Sequence, residues 1–238
     1  MYEQKKISPQ RRKDAKNPRK EGRQRKTPVF SFLPFFALPL RLYAFAVKLP
    51  AAKVSDLIAL AKTKPRAINF GSGGPGTSLH LAGELLNFTA KIELVHIPYR
   101  GAAPAVVALI GNEIQLLFDN SMTAIGHVRG GRVKALGIAA KARLAAIPDV
   151  PTLDESGAPG FEAGISHGVL VLTAVPKPTV AALNRAINTA ISDPEYKSAM
   201  AELGVSLVGG TPEQFANFIA AERRKYSELI KKQGIKAN

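Results

Sequence analysis

The chain of 238 residues contains no cysteine. A disulfide framework, a thiolate metal site and a cysteine nucleophile are therefore excluded. Histidine is scarce as well. His80, His96, His127 and His167 show neither the H-x-x-x-H nor the H-E-x-x-H spacing that holds a metal ion, so each reads as structural, with His80 near enough to the start of its helix to reach a cleft. No G-x-S-x-G elbow is present, and no internal repeat. Long uninterrupted apolar runs are missing too. Residues 29–47 are apolar but broken by Pro34, Pro39 and Arg41, short of the ~20 apolar residues a spanning helix needs. No stable membrane insertion is expected.

Acidic residues are in deficit, 18 Asp and Glu against 33 Lys and Arg, for a net charge of +15. The excess is uneven. Residues 1–26 hold 11 Lys and Arg against 3 acidic residues, about half of it. Residues 1–28 lack apolar periodicity and cannot bury enough surface to offset their ordering entropy, so they read as a basic disordered tail. A nucleic-acid arm is the functional alternative and would give salt-dependent DNA binding. A solvated tail is the simpler reading, and nucleic acid is not expected as a partner. With the apolar stretch after it, the tail also resembles a signal peptide whose cleavage-like site is Ala44-Phe45-Ala46. Its basic region is unusually long for that, so no clear signal peptide is read.

What is present is regular from about residue 43. Apolar spacing predicts a strand over 42–47 and a helix carrying Val54, Leu57, Ile58 and Ala61, ended by Pro65. Strand 68–70 meets the loop Gly71–Gly76, and Thr77 is placed to cap the helix that follows. Strands over 92–97, 114–118 and 133–139 alternate with helices over 102–110 and 121–129. That rhythm indicates an α/β domain with a parallel sheet. After a turn-rich stretch comes strand 168–174, then a helix opened by Pro178 and a second over 194–203. Thr211-Pro212-Glu213-Gln214 is a capping box that starts a long terminal helix.

Gly71-x-Gly73-x-x-Gly76 matches the dinucleotide fingerprint in form. The acidic residue that should end the next strand is absent, since that strand ends His96-Ile97-Pro98-Tyr99-Arg100. No Lys-Ser/Thr follows the glycines either, which excludes a phosphate-cradling loop. What remains is an anion site, because glycines let backbone approach a ligand and the start of a helix presents free N–H groups. A tight turn with no ligand fits the motif equally well. Tyr99-Arg100-Gly101 and Asp119-Asn120-Ser121 end the next two strands, so three successive strand ends carry polar or Gly-rich loops on the edge where ligands of parallel sheets bind.

From about residue 43 onward the chain resembles the Bug-type solute receptors of tripartite tricarboxylate transporters. The resemblance rests on Phe70-Gly-Ser-Gly-Gly-Pro-Gly-Thr-Ser-Leu-His80-Leu-Ala-Gly-Glu84, on His96-Ile-Pro-Tyr-Arg-Gly-Ala-Ala-Pro-Ala105, on Leu117-Phe-Asp-Asn120, on Ile147-Pro-Asp-Val-Pro-Thr152 with Pro159-Gly-Phe161, and on Gly209-Gly-Thr-Pro-Glu-Gln-Phe215. It implies a periplasmic-binding-protein-like two-lobed α/β fold with parallel sheets. Residues 66–165 would form the second lobe. Residues 43–65 and 166–238 would belong to the first, and 1–42 would be the tail and broken apolar segment. It implies a periplasmic receptor for a small carboxylate, partnered by membrane permease subunits, with no cofactor and no enzymatic activity. Carried over residue by residue, Ser72, Gly73, Gly76, Thr77 and His80 would line one wall of the site, with Tyr99, Ala103 and Asp119 at the neighbouring strand ends. Two departures stand out. The family's first ~80–100 mature residues have no counterpart, so the first lobe is expected to be incomplete. Ser166-His167 also replaces an aromatic pair on the hinge side. A non-functional truncated remnant and a nucleotide-binding enzyme using the 71–76 loop are the alternatives.

Overall fold

A computed structural model describes residues 32–46 and 49–235. The basic tail expected over 1–28 lies outside them. The broken apolar stretch forms one long strand, β1 (Phe32–Ala46). Its first half pairs antiparallel with β6 (Gly164–Leu172), from Phe32↔Leu172 to Arg41↔Gly164. Its second half enters another ladder, with Leu42↔Asn120 on one side and Tyr43↔Ile138 on the other. Ala44, Phe45 and Ala46, the residues of the cleavage-like pattern, are therefore buried in the middle of a sheet.

That ladder contains β2 (Asn69–Ser72), β3 (Val95–Pro98), β4 (Leu116–Asn120) and β5 (Lys134–Ile138), in the order β3-β2-β4-β1-β5. The expectation of a parallel sheet is corrected here. β2, β3 and β4 are parallel, but β1 runs antiparallel between β4 and β5. Strands joined by helical crossovers come out parallel. β1 departs from this pattern: it enters the sheet from its pairing with β6 and, although α1 joins it to β2, it runs against β2, β3 and β4.

Helices cover both faces. α1 (Val54–Thr63) and α2 (Ser78–Ala90) bury Val54, Leu57, Leu79, Ala82 and Leu86 in one apolar cluster with Ala44, Phe70 and Phe118. α3 (Ala102–Ile110) and α4 (Ser121–Arg129) close the other face, with Phe45, Ala105, Leu109, Leu117 and Ala124 in a second cluster. Alternation along the strands sorts the residues: Ala44 and Ala46 face one cluster and Phe45 the other. Fully burying Phe45, Phe70 and Phe118 contributes about 1.5–3 kcal/mol each. Ala44, Ala46, Ala51 and α1 thus share a cluster with residues between 66 and 165. The strand pairs with β4 and β5, and α1 buries Val54, Leu57, Ile58 and Ala61 in the same cluster.

The C-terminal segment holds β6, α5 (Lys177–Ser192), α6 (Pro194–Glu202) and α7 (Pro212–Gln233). Its buried cluster is small, Val180 and Ile191 flanked by Val171, Ile187 and Leu207. α7 begins with the expected capping box of Thr211 and Gln214, ends at Gly234 in the left-handed region, and packs along β1 and α2. Among the described residues no helix is long and apolar enough to cross a membrane.

Candidate functional site

Order β3-β2-β4 with α2 and α3 on opposite faces makes the carboxyl ends of β2 and β4 a topological switch point. Three helices begin there, each directly after a parallel strand. Thr77 caps α2, its Oγ1 accepting from the His80 N–H at 3.4 Å, and Asn120 caps α4, accepting from the Thr123 N–H at 3.2 Å. α3 starts from Gly101, which has no side chain to cap it. Three positive dipole ends therefore meet one sheet edge.

The loop between β2 and α2 is tied from within. Ser72 is fully buried; its Oγ donates to the Gly74 carbonyl at 3.0 Å, accepts from the Gly74 N–H at 3.1 Å, and lies 2.6 Å from His96 Nε2. The Thr77 hydroxyl donates to the Gly74 carbonyl at 2.8 Å. Gly74 and Gly76 both have φ in the left-handed region, at 129° and 74°, where a side chain would be strained. Gly73 serves a different need. A Cβ there would stand 3.2–3.3 Å from the backbone of Gly101 and Ala102, so its lack of one lets the β2 and β3 loops touch. The Tyr99 N–H donates to the Ser72 carbonyl at 3.0 Å and completes that junction.

His80, expected to line one wall, is bonded into the loop. It is buried behind the loop, its ring stacked on His96 at 3.8 Å between centroids and on Phe70 at 6.2 Å. Its Nδ1 accepts the Gly76 N–H at 3.0 Å and its Nε2 lies 3.6 Å from Glu84. The helical register of α2 turns this side chain toward the sheet, on the same face as Leu79 and Gly83. His96, half-buried, has its pKa lowered to about 4 by burial first and by His80 second, with Glu84 acting against them. Nothing in the sequence pairs residues 80 and 96. Only the parallel register Phe70↔His96 brings the rings together.

Of the remaining candidates, Ala103 is exposed in the first turn of α3. The Tyr99 phenol is raised by burial and by Glu113. Asp119 is buried, and its carboxylate accepts from the Thr123 hydroxyl at 2.6 Å and the Asn120 N–H at 2.8 Å. Burial raises its pKa against those two bonds and His127. Its lone pairs serve the start of α4 more than open space. Arg100 is exposed at the same edge. No cluster of three metal-ligating side chains occurs among the described residues. Two concavities of about 340 and 510 Å³ lie away from the Gly-rich loop, where β6 passes α7. The first reaches the sheet edge at Ala139–Lys141, and both include Ser166 and Phe218.

A family model described as "Tripartite tricarboxylate transporter family receptor" matches residues 34–235. A protein of Pseudomonas sp. strain P51, described as the UPF0065 protein in the tcbD-tcbE intergenic region, is 36% identical over 186 residues, which is 78% of this chain and 55% of that protein. The match spans little more than half the length of this relative and of two others, from Agrobacterium vitis and Bordetella pertussis. Among solved structures, Rpa4515 of R. palustris with adipate is similar at TM-score 0.79 and 26% identity, covering 86% of this chain and 69% of the other. MatC from Rhodopseudomonas palustris with bound malate is similar at TM-score 0.74 and 26% identity, covering 84% and 69%. The fold is periplasmic-binding-protein-like α/β, with a mixed sheet.

Proposed function

The chain belongs to the tripartite tricarboxylate transporter receptor family, and on that footing we propose that it captures a small di- or tricarboxylate, or a related organic acid, outside the cytoplasm and passes it to the permease subunits of a transporter. Family and fold are those of solute-binding receptors. The observation that carries the reading is the convergence of three helix N-termini on one sheet edge around a Gly-rich loop. Such an edge favours anions through backbone N–H groups and needs no lysine or arginine cage. Adipate and malate in two structural neighbours are of the chemistry it suits.

In this reading Thr77 and the first turn of α2 offer one set of donors, and Ala103 in the uncapped first turn of α3 offers another. Gly73 permits the close approach of the two loops. Ser72, Gly76 and Asp119 hold the backbone that makes contact, and Tyr99 forms the side of the cleft. β1 and β6 leave the same edge together and act as the hinge. Ligand contacts made only in the closed arrangement shift the population toward it.

Thermal unfolding of the chain with malate, adipate, citrate, acetate and ATP at millimolar concentrations tests the proposal. A ligand held at a hundred times its Kd adds about 2.7 kcal/mol to the folded state. An upward shift with a di- or tricarboxylate and none with ATP is expected. A shift with ATP alone would favour the nucleotide-binding alternative, and a broad transition indifferent to every ligand would favour the remnant.

A further inference from the structure

The buried polar cluster behind the loop is not used by any ligand contact proposed above, yet it is bonded to the loop backbone at two points. We propose that His80, backed by His96, is a positioning residue that holds the Gly76 amide and thereby the entry to α2, and that protonation of the His80 ring releases this hold and weakens carboxylate binding. The inference rests on the reading of the chain as a carboxylate receptor.

The geometry gives the chemistry. The Gly76 N–H donates to His80 Nδ1 at 3.0 Å, so the ring proton of the neutral imidazole sits on Nε2, toward Glu84 at 3.6 Å. An imidazolium carries hydrogen on both nitrogens and has no acceptor to offer. Protonation therefore turns an N–H···N bond into two opposed N–H groups at the residue that precedes the Thr77 cap. The stacked His96 ring lies 3.8 Å away, its own pKa lowered by burial and by His80. Other elements packed on α2 add little charge at this point. β2 presents Phe70 and Ser72, β3 presents only His96, and the ionisable residue of β4, Asp119, is bonded to Thr123 and Asn120. α7 brings Lys232 to the Phe88 ring, further along the helix.

The sign of the effect separates this role from direct contact. An imidazolium touching the ligand would attract a carboxylate, so acidification would strengthen binding. A positioning imidazole predicts the opposite. Asparagine offers an acceptor close to the place of Nδ1 and does not titrate, so His80→Asn is the reference that cancels the protonation of the ligand itself.

The test uses the full chain and two readouts. In ¹⁵N NMR of the ligand-free protein near pH 8, His80 is expected as the Nε2–H tautomer, and the Gly76 amide is expected to move with the ring as the pH is lowered to about 5. In calorimetry with malate, and with adipate in parallel, wild type is expected to lose about tenfold in affinity relative to His80→Asn over that range, while His80→Leu is weak throughout. An Nδ1–H tautomer, a Gly76 amide indifferent to pH, or a wild type that gains on His80→Asn on acidification would each overturn the inference. Should neither carboxylate bind at any pH, the receptor reading fails, and the tautomer and the Gly76 amide alone decide the role of His80.

Discussion

Gly83→Ala tests the packing behind the loop, because two effects of opposite sign compete at that position. Gly83 lies inside α2, where alanine is favoured over glycine by about 1 kcal/mol on backbone grounds. An added Cβ, however, would overlap Phe70 Cε2 and stand 2.5 Å from Cδ2 and 2.6 Å from Cζ. Phe70 is fully buried, with His96 at 5.1 Å and His80 at 6.2 Å between ring centroids, so its ring cannot swing aside without disturbing both. Overpacking costs about 1–3 kcal/mol, and three atoms of a confined ring within 2.6 Å of the new Cβ put this case at about 2–3 kcal/mol. The net expectation is a loss of about 1–2 kcal/mol, a fall in Tm of about 3–6 °C for a domain of this size, together with weaker carboxylate binding. Gly126→Ala is the internal control. It sits in α4 with no atom within 4 Å of the new Cβ, so only the helix preference acts and a gain of up to about 1 kcal/mol is expected. Urea unfolding of both variants reads the difference. A Gly83→Ala protein as stable as wild type, or one that tracks Gly126→Ala, would refute the reasoning.

Three further outcomes are expected. Because the His96 pKa is lowered to about 4, the unfolded chain takes up its proton first as the pH falls, so stability present above about pH 6.5 is lost toward about pH 4. For a half-buried ring this amounts to about 1–2 kcal/mol after screening, and urea unfolding across that range should show a slope that His96→Asn flattens. Thr77→Ala removes the cap of α2 and should cost about 1 kcal/mol in urea unfolding. Ala103→Asp places a carboxylate in the exposed first turn of α3, where it should leave stability unchanged or raise it by about 0.3–1 kcal/mol while abolishing malate binding by calorimetry.

Much of this was legible in the sequence wherever local chemistry decides the outcome. Thr77 and Thr211 cap the helices that their positions announce, and Gly74 and Gly76 take the left-handed turns that a Gly-rich loop implies. β1 was not legible. Pro34, Pro39 and Arg41 break its apolar pattern, yet proline is tolerated where a strand has a ladder on one side, and Pro34 and Pro39 both pair only with β6 among the described residues. The antiparallel insertion of β1 between β4 and β5 depends on partners remote in sequence, and so does the stack of His80 on His96. Neither leaves a periodic signal. The internal bonds of His80 and Asp119, each to the backbone or hydroxyls of its own loop and helix, were not legible either.

The shared strand also sets an order of events during synthesis. β1 leaves the ribosome before any of its partners exist, and at about 5–20 residues per second it waits roughly ten seconds for β4, β5 and then β6. For that time an apolar segment with open edges is exposed. The ladder on β4 and β5 can close before Gly164–Leu172 is made, but the first half of β1 cannot pair with β6 until those residues have emerged. A nascent chain stalled between residues 140 and 164 should therefore engage holding chaperones through the first half of β1, and release them once β6 has emerged.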